Sequence, residues 1–456
     1  MGNKSIIFAL LVLSWMPIKG FMQPLVHIIP LLIFLVGFFT TKIYANRNAF
    51  LQVLLFTIFY VGIGLVFGSE KSFYNVSLSL LLLLPFYMYL FRFRYLDRDD
   101  YEFLFRTVAW LSIVEFFIGL AQLALFQGFQ LEFTGNAWDK VIGTTLSQSS
   151  HVYSIKMLFQ GFLLLLNYQT ISRQYTRNIN LISIAILASF LGALISSYMI
   201  GIIMATIALI FYYSIQFFKS FIHAFVFFKI NKRRVRSTFI QVSVFIVISI
   251  FGTILFAKVQ PGNFKLISIV IERLISVDFS DQYKFQKIFA FEQTYQKVVK
   301  KDIGTFMFGL GAGQYSSRAA LILTGDYLNP HPSYFPISMS NETRQIIFPL
   351  WNDKQQARFR GSVLAMPSSS LLSVIAEFGL IGFIILMYLF RILYSIRNTR
   401  SESIIISFVG AIPILTVLLF SQLIMDLWLE FASLTIFLNL IFIMGLSSKN
   451  SSQNGY

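Results

Sequence analysis

Long apolar stretches separated by short polar turns run through most of this sequence. An α-helix crosses the hydrocarbon core of a bilayer when about 20 consecutive residues are mostly apolar. Such stretches predict twelve membrane-spanning helices, at 5–18, 21–41, 49–67, 73–91, 104–127, 149–166, 180–197, 199–218, 237–257, 369–390, 404–421 and 427–446. Only Ser196, Ser197 and Tyr198 separate the seventh from the eighth, so these two form either a tight hairpin or one broken helix.

The first apolar stretch also resembles a signal peptide, because Lys4 precedes it. Signal peptides end at a cleavage site made of small residues, whereas this stretch ends at Trp15-Met16-Pro17-Ile18-Lys19. The pattern therefore predicts a retained first helix.

Composition supports the membrane interpretation. The chain has 456 residues, of which 56% are hydrophobic and 12% are charged. Soluble globular proteins carry about 25% charged residues, so this chain is unsuited to a water-soluble enzyme. Its high apolar content excludes disorder, and its lack of cysteine excludes a disulfide-stapled domain and a thiolate metal site.

The cationic residues alternate between the two sides of the predicted helices. One side carries 18 of them, and the short loops of the other side carry only Lys19, Lys71 and Lys140. The 18 are Lys4, Lys42, Arg47, Arg92, Arg94, Arg98, Arg173, Arg177, Lys219, Lys229, Lys232, Arg233, Arg234, Arg236, Arg391, Arg397, Arg400 and Lys449. The positive-inside rule then places both termini in the cytoplasm. Most of the formal charge of +16 thus reflects topology rather than binding to nucleic acid.

The predicted fold class is an all-α polytopic membrane protein with about twelve transmembrane helices. Helices one to nine occupy 1–257, and helices ten to twelve occupy 369–446. A large periplasmic loop with short helices occupies 258–368, and a cytoplasmic tail occupies 447–456. The loop has 13 cationic and 8 acidic residues, for a net charge of +5. That surplus indicates either general attraction to anionic headgroups or an anionic ligand such as a lipid pyrophosphate.

Within the loop, residues 281–301 predict an amphipathic helix. Its apolar positions recur at helical spacing, and they are Phe285, Ile288, Phe289, Tyr295 and Val299. Such a helix lies either along the membrane interface or packed on the helical bundle.

A glycine-rich turn follows, in which Gly309, Gly311 and Gly313 alternate with Leu310 and Ala312. Glycine lets a backbone turn tightly and approach another group closely. The pattern is consistent with a phosphate-binding nest or with a plain tight turn. It is not a P-loop, since no Gly-Lys-Ser/Thr follows.

Two segments carry a family resemblance. The end of the loop reads Pro367-Ser368-Ser369-Ser370-Leu371-Leu372-Ser373-Val374-Ile375-Ala376-Glu377-Phe378-Gly379-Leu380-Ile381-Gly382. Upstream, Glu272-Arg273-Leu274-Ile275-Ser276 precedes the predicted helix and the glycine turn. The order of these motifs around one long outward loop resembles the family of O-antigen polymerases and O-antigen ligases. In that family an arginine opens the loop, and a late helix carries an Ala-Glu-x-Gly-x-x-Gly pattern.

The resemblance implies transfer of an oligosaccharide from undecaprenyl pyrophosphate at the periplasmic face of the bacterial inner membrane. In a polymerase the acceptor is the next lipid-linked repeat unit, and in a ligase it is lipid A core. The implied partners are the lipid-linked oligosaccharide, the bilayer, a chain-length regulator and a flippase. No cofactor is implied, and the scattered histidines and absence of a DxD pair in the loop predict metal-free chemistry.

The chain departs from the ligase pattern where Met366-Pro367 replaces a histidine. That departure favours a polymerase over a ligase. A transporter that flips lipid-linked oligosaccharide is the alternative of a different class, but such proteins show internal repeats, which are not evident here.

The resemblance and the charges together select the site residues. Arg273 is predicted to anchor the pyrophosphate, because arginine binds phosphate through two parallel hydrogen bonds; an ion pair with Glu272 or Asp278 is the alternative. His331 is the candidate base, and Glu377, inside the late helix, is either functional or a helix-pairing group. Further candidates for substrate contacts are Arg318, Arg344, Arg358, Arg360, Gly309, Gly311, Gly313 and Tyr198, which stands where many members have arginine. Glu115 is a second intramembrane carboxylate, without family support.

Overall fold

A computed structural model gives the fold of the protein. The residues it describes are 47–67, 72–91, 98–125, 141–143, 150–174, 179–196, 254, 257–258, 286–325, 333, 336–351, 366–395, 423–424 and 427.

The described residues form helices and connecting turns, without a strand among them. The helices are α1 (Arg47–Gly62), α2 (Phe73–Phe91), α3 (Arg98–Leu125), α4 (Ser150–Gln174), α5 (Ile179–Ile195), α6 (Gln286–Thr294), α7 (Ile303–Phe308), α8 (Arg318–Leu323), α9 (Phe348–Trp351) and α10 (Ser370–Ser395). Single π-helical turns follow α1 and α6 at Ile63–Phe67 and Tyr295–Val299, and another precedes α9 at Thr343–Ile347.

Six of the predicted spans coincide with helices, namely α1 to α5 and α10. Two of these helices contain a stretch long and apolar enough to cross a membrane, Phe105–Leu125 in α3 and Ser370–Tyr388 in α10. Residues 5–18, 21–41, 199–218 and 404–421 lie outside the described residues, as do nearly all of 237–257 and 427–446. The twelve-helix topology therefore stays a prediction.

The chain divides into two compact units. The first holds the described residues up to Val108 and those from Gln286 onward. Here α2 packs against α1, α7 packs against α10, and α8 packs against α2. Ser369 caps the start of α10, since its hydroxyl accepts a hydrogen bond of 3.1 Å from the backbone N–H of Leu372.

The second unit holds the described residues from Ala109 to Lys258. Its main contact joins α4 to α5. Small residues allow these helices to approach closely. A Cβ added at Gly161 would lie only 3.1 Å from the Cβ of Ser189. The rings of Phe162 and Phe190 meet edge to face at 5.3 Å between centroids.

The helix predicted at 281–301 is present over Gln286–Val299, but its buried face differs from the predicted one. The buried residues are Gln286, Lys287, Ala290, Thr294 and Val298, whereas Tyr295 is exposed. Phe289 packs against the core as the apolar pattern predicts, but the pattern missed two buried polar residues, Lys287 and Thr294, that have partners. Lys287 donates to the carbonyl of Ser368, and the Thr294 hydroxyl lies 2.8 Å from that of Tyr315.

Candidate functional site

A buried carboxylate joins the two motif segments in the first unit. Glu377 lies on α10 and is inaccessible to solvent. Its Oε2 accepts a hydrogen bond of 2.7 Å from the backbone N–H of Gly313. Its Oε1 accepts two more, each of 3.0 Å, from the N–H groups of Tyr315 and Ser317. One side chain therefore fixes three alternate residues of the glycine-rich turn.

The backbone of α10 binds the same turn. The N–H of Leu310 donates to the carbonyl of Ala376 at 2.8 Å, and that of Gly311 donates to the carbonyl of Glu377 at 3.0 Å. Gly309 has a φ of 78°. A Cβ at Gly309 would collide with the backbone of Glu377 and Phe378. Glycine is required here because two backbones touch.

The helix α10 is interrupted where the turn meets it. Gly379 has a φ of 60° and a ψ of −154°, a combination essentially restricted to glycine. A Cβ added there would lie 2.6 Å from the carbonyl carbon of Met307 and 2.6 Å from the carbonyl oxygen of Phe306. The break in α10 thus makes room for the end of α7. The two motifs, far apart in sequence, form one interlocked structure, here called the turn–helix lock (residues 305–317 and 376–379).

The hydrogen bonds of the lock show whether the N–H groups of the three predicted glycines can bind a phosphate. The N–H of Gly309 donates to the carbonyl of Thr305, that of Gly311 to the carbonyl of Glu377, and that of Gly313 to the carboxylate of Glu377. A phosphate nest needs such N–H groups to point at the anion. Here the protein's own carboxylate and carbonyls accept these hydrogen bonds, so the glycines shape the turn.

Polar side chains of other segments donate hydrogen bonds to backbone carbonyl groups of the turn. The Asn75 amide donates to the carbonyl of Gly313 at 2.6 Å. The hydroxyls of Ser340 and Thr343 donate to the carbonyl of Gln314 at 2.5 and 2.8 Å. The segments that carry Asn75, Ser340 and Thr343 therefore help to hold the turn in place.

Three cationic side chains of the same unit differ in exposure. Arg318 is buried and opens α8, directly after Ser317, whose N–H binds Glu377. Lys287 is also buried, and its Nζ donates to the carbonyl of Ser368 at 2.7 Å, just before α10. Arg344 is exposed in the π-helical turn Thr343–Ile347. Lys287 was not among the predicted site residues, since a lysine in a cationic loop gives no sequence signal of burial.

Five predicted site residues, Arg273, His331, Arg358, Arg360 and Tyr198, lie outside the described residues. The structure therefore describes Glu377, Arg318, Arg344 and the three glycines. Of these it brings Glu377 into contact with the glycine turn.

The second unit contains a buried ion pair. Glu115 on α3 and Lys156 on α4 are bonded to each other, and both side chains are almost inaccessible. Lys156 lies inside the predicted span 149–166, where a cation is costly without a partner. The sequence contains this signal, because Glu115 and Lys156 are ionisable residues within two neighbouring apolar stretches.

Tyr153 and the segment 141–143 surround this pair. The Tyr153 hydroxyl donates to the backbone carbonyl of Glu115 at 2.9 Å. The Gln122 side chain accepts hydrogen bonds from the N–H groups of Ile142 and Gly143, at 2.9 and 2.8 Å, and donates to the carbonyl of Gly143. A Cβ at Gly143 would collide with the Glu115 carboxylate and the Tyr153 ring. The pair is therefore enclosed by protein on several sides.

We expect Lys156→Met to destabilise the protein by about 3 kcal/mol, because it leaves the Glu115 carboxylate buried without its cation. The double variant Glu115→Leu/Lys156→Met should regain most of this loss, since an apolar pair of similar volume needs no compensation. Equilibrium unfolding in mixed detergent micelles measures both. Equal loss in the single and double variants would show that the pair contributes by packing alone.

Among the described residues, no three His, Asp or Glu side chains are grouped so that they could hold a metal ion. The metal-free chemistry stays a prediction. No protein-family model matches the chain, and no curated protein matches it either.

Proposed function

We propose that the protein is a polysaccharide polymerase of the bacterial inner membrane. It transfers a growing glycan from undecaprenyl pyrophosphate to the next lipid-linked repeat unit on the periplasmic side. The observation that carries the proposal is the turn–helix lock. The segments 309–313 and 376–382, which carry the family resemblance, pack directly on each other.

The membrane location is supported by composition and by the described helices. The described part is all-helical, and α3 and α10 contain stretches long enough to span a bilayer. We extend this to twelve spans with both termini in the cytoplasm, as the charge alternation predicts. The bilayer and the lipid-linked oligosaccharide are then the immediate partners, and a chain-length regulator and a flippase act in the same pathway.

The proposed reaction is a displacement at the anomeric carbon of the donor sugar. A hydroxyl of the acceptor forms the new C–O bond, the bond to the pyrophosphate oxygen breaks, and the hydroxyl proton passes to a base. Arginine suits the leaving group, because its planar guanidinium pairs with phosphate oxygens through two hydrogen bonds. Arg273 is the first candidate for that role. Arg318, Arg344, Arg358 and Arg360 are further candidates, and His331 is the candidate base.

The lock supports this chemistry by positioning rather than by contact with the glycan. Ser317, whose N–H binds Glu377, immediately precedes the buried Arg318. The carboxylate of Glu377 therefore fixes the start of α8, which carries Arg318. Fixed cations stabilise the charge of the transition state well, because they need not be reoriented during the reaction.

Deletion of the gene should leave single repeat units on the cell surface, and the wild-type gene should restore long chains. In the deleted strain, Arg273→Ala should give no polymer at normal protein level. Arg273→Lys should restore only part of the chain length, because a lysine ammonium cannot make the two-bond contact. Gel electrophoresis of surface polysaccharide measures chain length, and immunoblotting measures protein level.

Arg106→Ala is a control for the loss of one arginine, since Arg106 is exposed on α3, outside the motif segments. Wild-type chain lengths with Arg273→Ala would remove Arg273 from the site. Polymer that accumulates on the lipid carrier in the deleted strain would favour a ligase. Scrambling of lipid-linked sugar by the purified protein in liposomes, without polymer, would favour a flippase.

A further inference from the structure

The segment Ile303–Leu323 (α7, the glycine turn and α8) belongs to the long loop that the sequence places outside the membrane. We propose that it is instead a re-entrant element, which enters the outer leaflet beside α2 and α10 and holds Ile303 and Phe306 against lipid hydrocarbon. The inference rests on the membrane location proposed above, and it is independent of the glycan chemistry.

The contact with α10 gives the first measure of depth. Gly379 touches the backbone of Phe306 and Met307. It is the central residue of the apolar stretch Ser370–Tyr388, which is long enough to cross a bilayer. At 1.5 Å per residue, Gly379 lies about 14 Å along the helix from Ser370. The end of α7 therefore meets α10 at the middle of that stretch, while the ring of Phe308 stacks on that of Phe67, at the outer end of the predicted span 49–67.

The contact with α2 shows where the rest of the segment lies. The turn meets this helix near its start, where a Cβ at Gly313 would lie 2.5 Å from the carbonyl oxygen of Asn75. Further along, Ala319 and Ile322 of α8 cluster with Leu82. Leu82 is about 14 Å along α2 from its first residue, Phe73. The turn and α8 thus lie alongside the outer half of α2, between Asn75 and Leu82.

The hydrogen bonding of the turn fits a position inside the membrane. Non-helical backbone is tolerated at that depth only where protein groups satisfy its N–H and carbonyl groups. Residues 309–317 are all buried. The carboxylate of Glu377 accepts three of their N–H groups, and Asn75 donates to the carbonyl of Gly313. In a loop on the outer surface, water would be available for these groups instead.

The exposed apolar side chains of α7 indicate that lipid lies against this helix. Ile303 is 82% exposed and Phe306 is 41% exposed, on a helix that packs against the apolar α10. Before them come exposed charged residues, Lys300, Lys301 and Asp302. The Thr305 backbone N–H and hydroxyl hold the pKa of Asp302 below its ordinary value, so this carboxylate stays charged. A charged band followed by apolar side chains matches headgroups followed by hydrocarbon.

The placement has a consequence for the proposed chemistry. Arg318 stands between Gly313, which touches Asn75, and Ala319, which packs near Leu82. The re-entrant element therefore carries a buried arginine below the outer end of α2. A lipid phosphate would meet such an arginine from within the leaflet rather than from the aqueous side.

The absence of cysteine from the sequence makes the test direct, because single cysteines can be introduced without background. Ile303→Cys and Phe306→Cys replace exposed side chains, and Phe306 meets Gly379 through its backbone carbonyl, which cysteine keeps. Gln296→Cys and Gln345→Cys are matched controls, since both residues are exposed and polar in the same unit. Each full-length variant is spin-labelled and reconstituted in vesicles of phosphatidylethanolamine and phosphatidylglycerol. Collision rates with oxygen, which concentrates in hydrocarbon, and with a water-soluble nickel chelate then report depth.

We expect labels at 303 and 306 to favour oxygen over the nickel chelate at least threefold more than the two controls do, with 306 the deeper. Equal ratios at all four positions would place α7 in water and overturn the inference. Shielding from both collision partners, with dipolar coupling between labels of two chains, would show that a second copy covers α7 and would also overturn it. The polymer assay is separate, so the function and the depth can fail independently.

Discussion

Glu377→Ala should destabilise the protein by about 5 kcal/mol and abolish polymer formation. The substitution leaves the N–H groups of Gly313, Tyr315 and Ser317 buried without an acceptor. Each unsatisfied buried donor costs about 1–3 kcal/mol. Glu377→Gln keeps one oxygen and turns an amide donor toward an N–H group, so its cost should be smaller, about 2 kcal/mol. Equilibrium unfolding in mixed micelles measures both variants.

Glu342→Ala is the matched control for loss of a carboxylate. Glu342 accepts a hydrogen bond of 2.8 Å from Lys301 at a position where Lys301 is solvent-accessible. Such pairs contribute less than about 1 kcal/mol. If Glu377→Ala and Glu342→Ala have the same free energy of unfolding, the turn does not depend on the Glu377 carboxylate. A Glu377→Gln protein that keeps wild-type stability and forms no polymer would assign Glu377 to the chemistry instead of positioning.

Gly379→Ala should destabilise the protein by about 4 kcal/mol. Its φ and ψ lie in a region that costs a non-glycine residue about 1–3 kcal/mol. The added methyl group would also lie 2.6 Å from backbone atoms of Phe306 and Met307. Backbone atoms cannot rotate away as a side chain can, and overpacking of this kind costs about 1–3 kcal/mol. The variant should therefore release α7 from α10, and unfolding in mixed micelles measures the loss.

Gly62→Ala is the matched control, because a Cβ at Gly62 would meet nothing within 4 Å. Gly62 ends α1, and alanine favours helical backbone over glycine by about 0.5–1 kcal/mol. We expect this variant to be as stable as the wild type or slightly more so. If Gly379→Ala matched Gly62→Ala, the break in α10 would not be a fixed feature of the fold. Limited proteolysis within 303–325 gives a second readout of a released α7.

The sequence predicts six of the described helices well, and α2 and α10 show why. Both are continuous apolar stretches, and a helix satisfies its own backbone hydrogen bonds without help from other segments. Length and hydropathy are therefore sufficient evidence. The helix at Gln286–Val299 shows the limit, since its buried face holds Lys287 and Thr294. Their burial depends on partners at Ser368 and Tyr315, which local periodicity cannot show.

In the candidate site too, the sequence predicts some features and only the structure shows the others. The glycine pattern at 309–313 correctly predicts a turn with close backbone approach, because only glycine permits it. The sequence left open whether a phosphate or the protein itself occupies that turn. The structure places the Glu377 carboxylate there, contributed by a helix more than sixty residues later in the chain. Likewise, Glu115 is recognisable as a carboxylate within a predicted span, but only the contact between α3 and α4 makes Lys156 its partner.

The sequence by itself determined that the described chain is helical, where six of its helices lie, and which short segments carry unusual glycines and charges. Those properties follow from local hydropathy and backbone freedom. Only the tertiary structure decided that the turn at 309–317 is held by Glu377, that α10 breaks at Gly379 to admit α7, and that Lys156 neutralises Glu115. These pairings join distant segments, and a buried polar group accepts whichever partner the packing of its helix brings within hydrogen-bond distance.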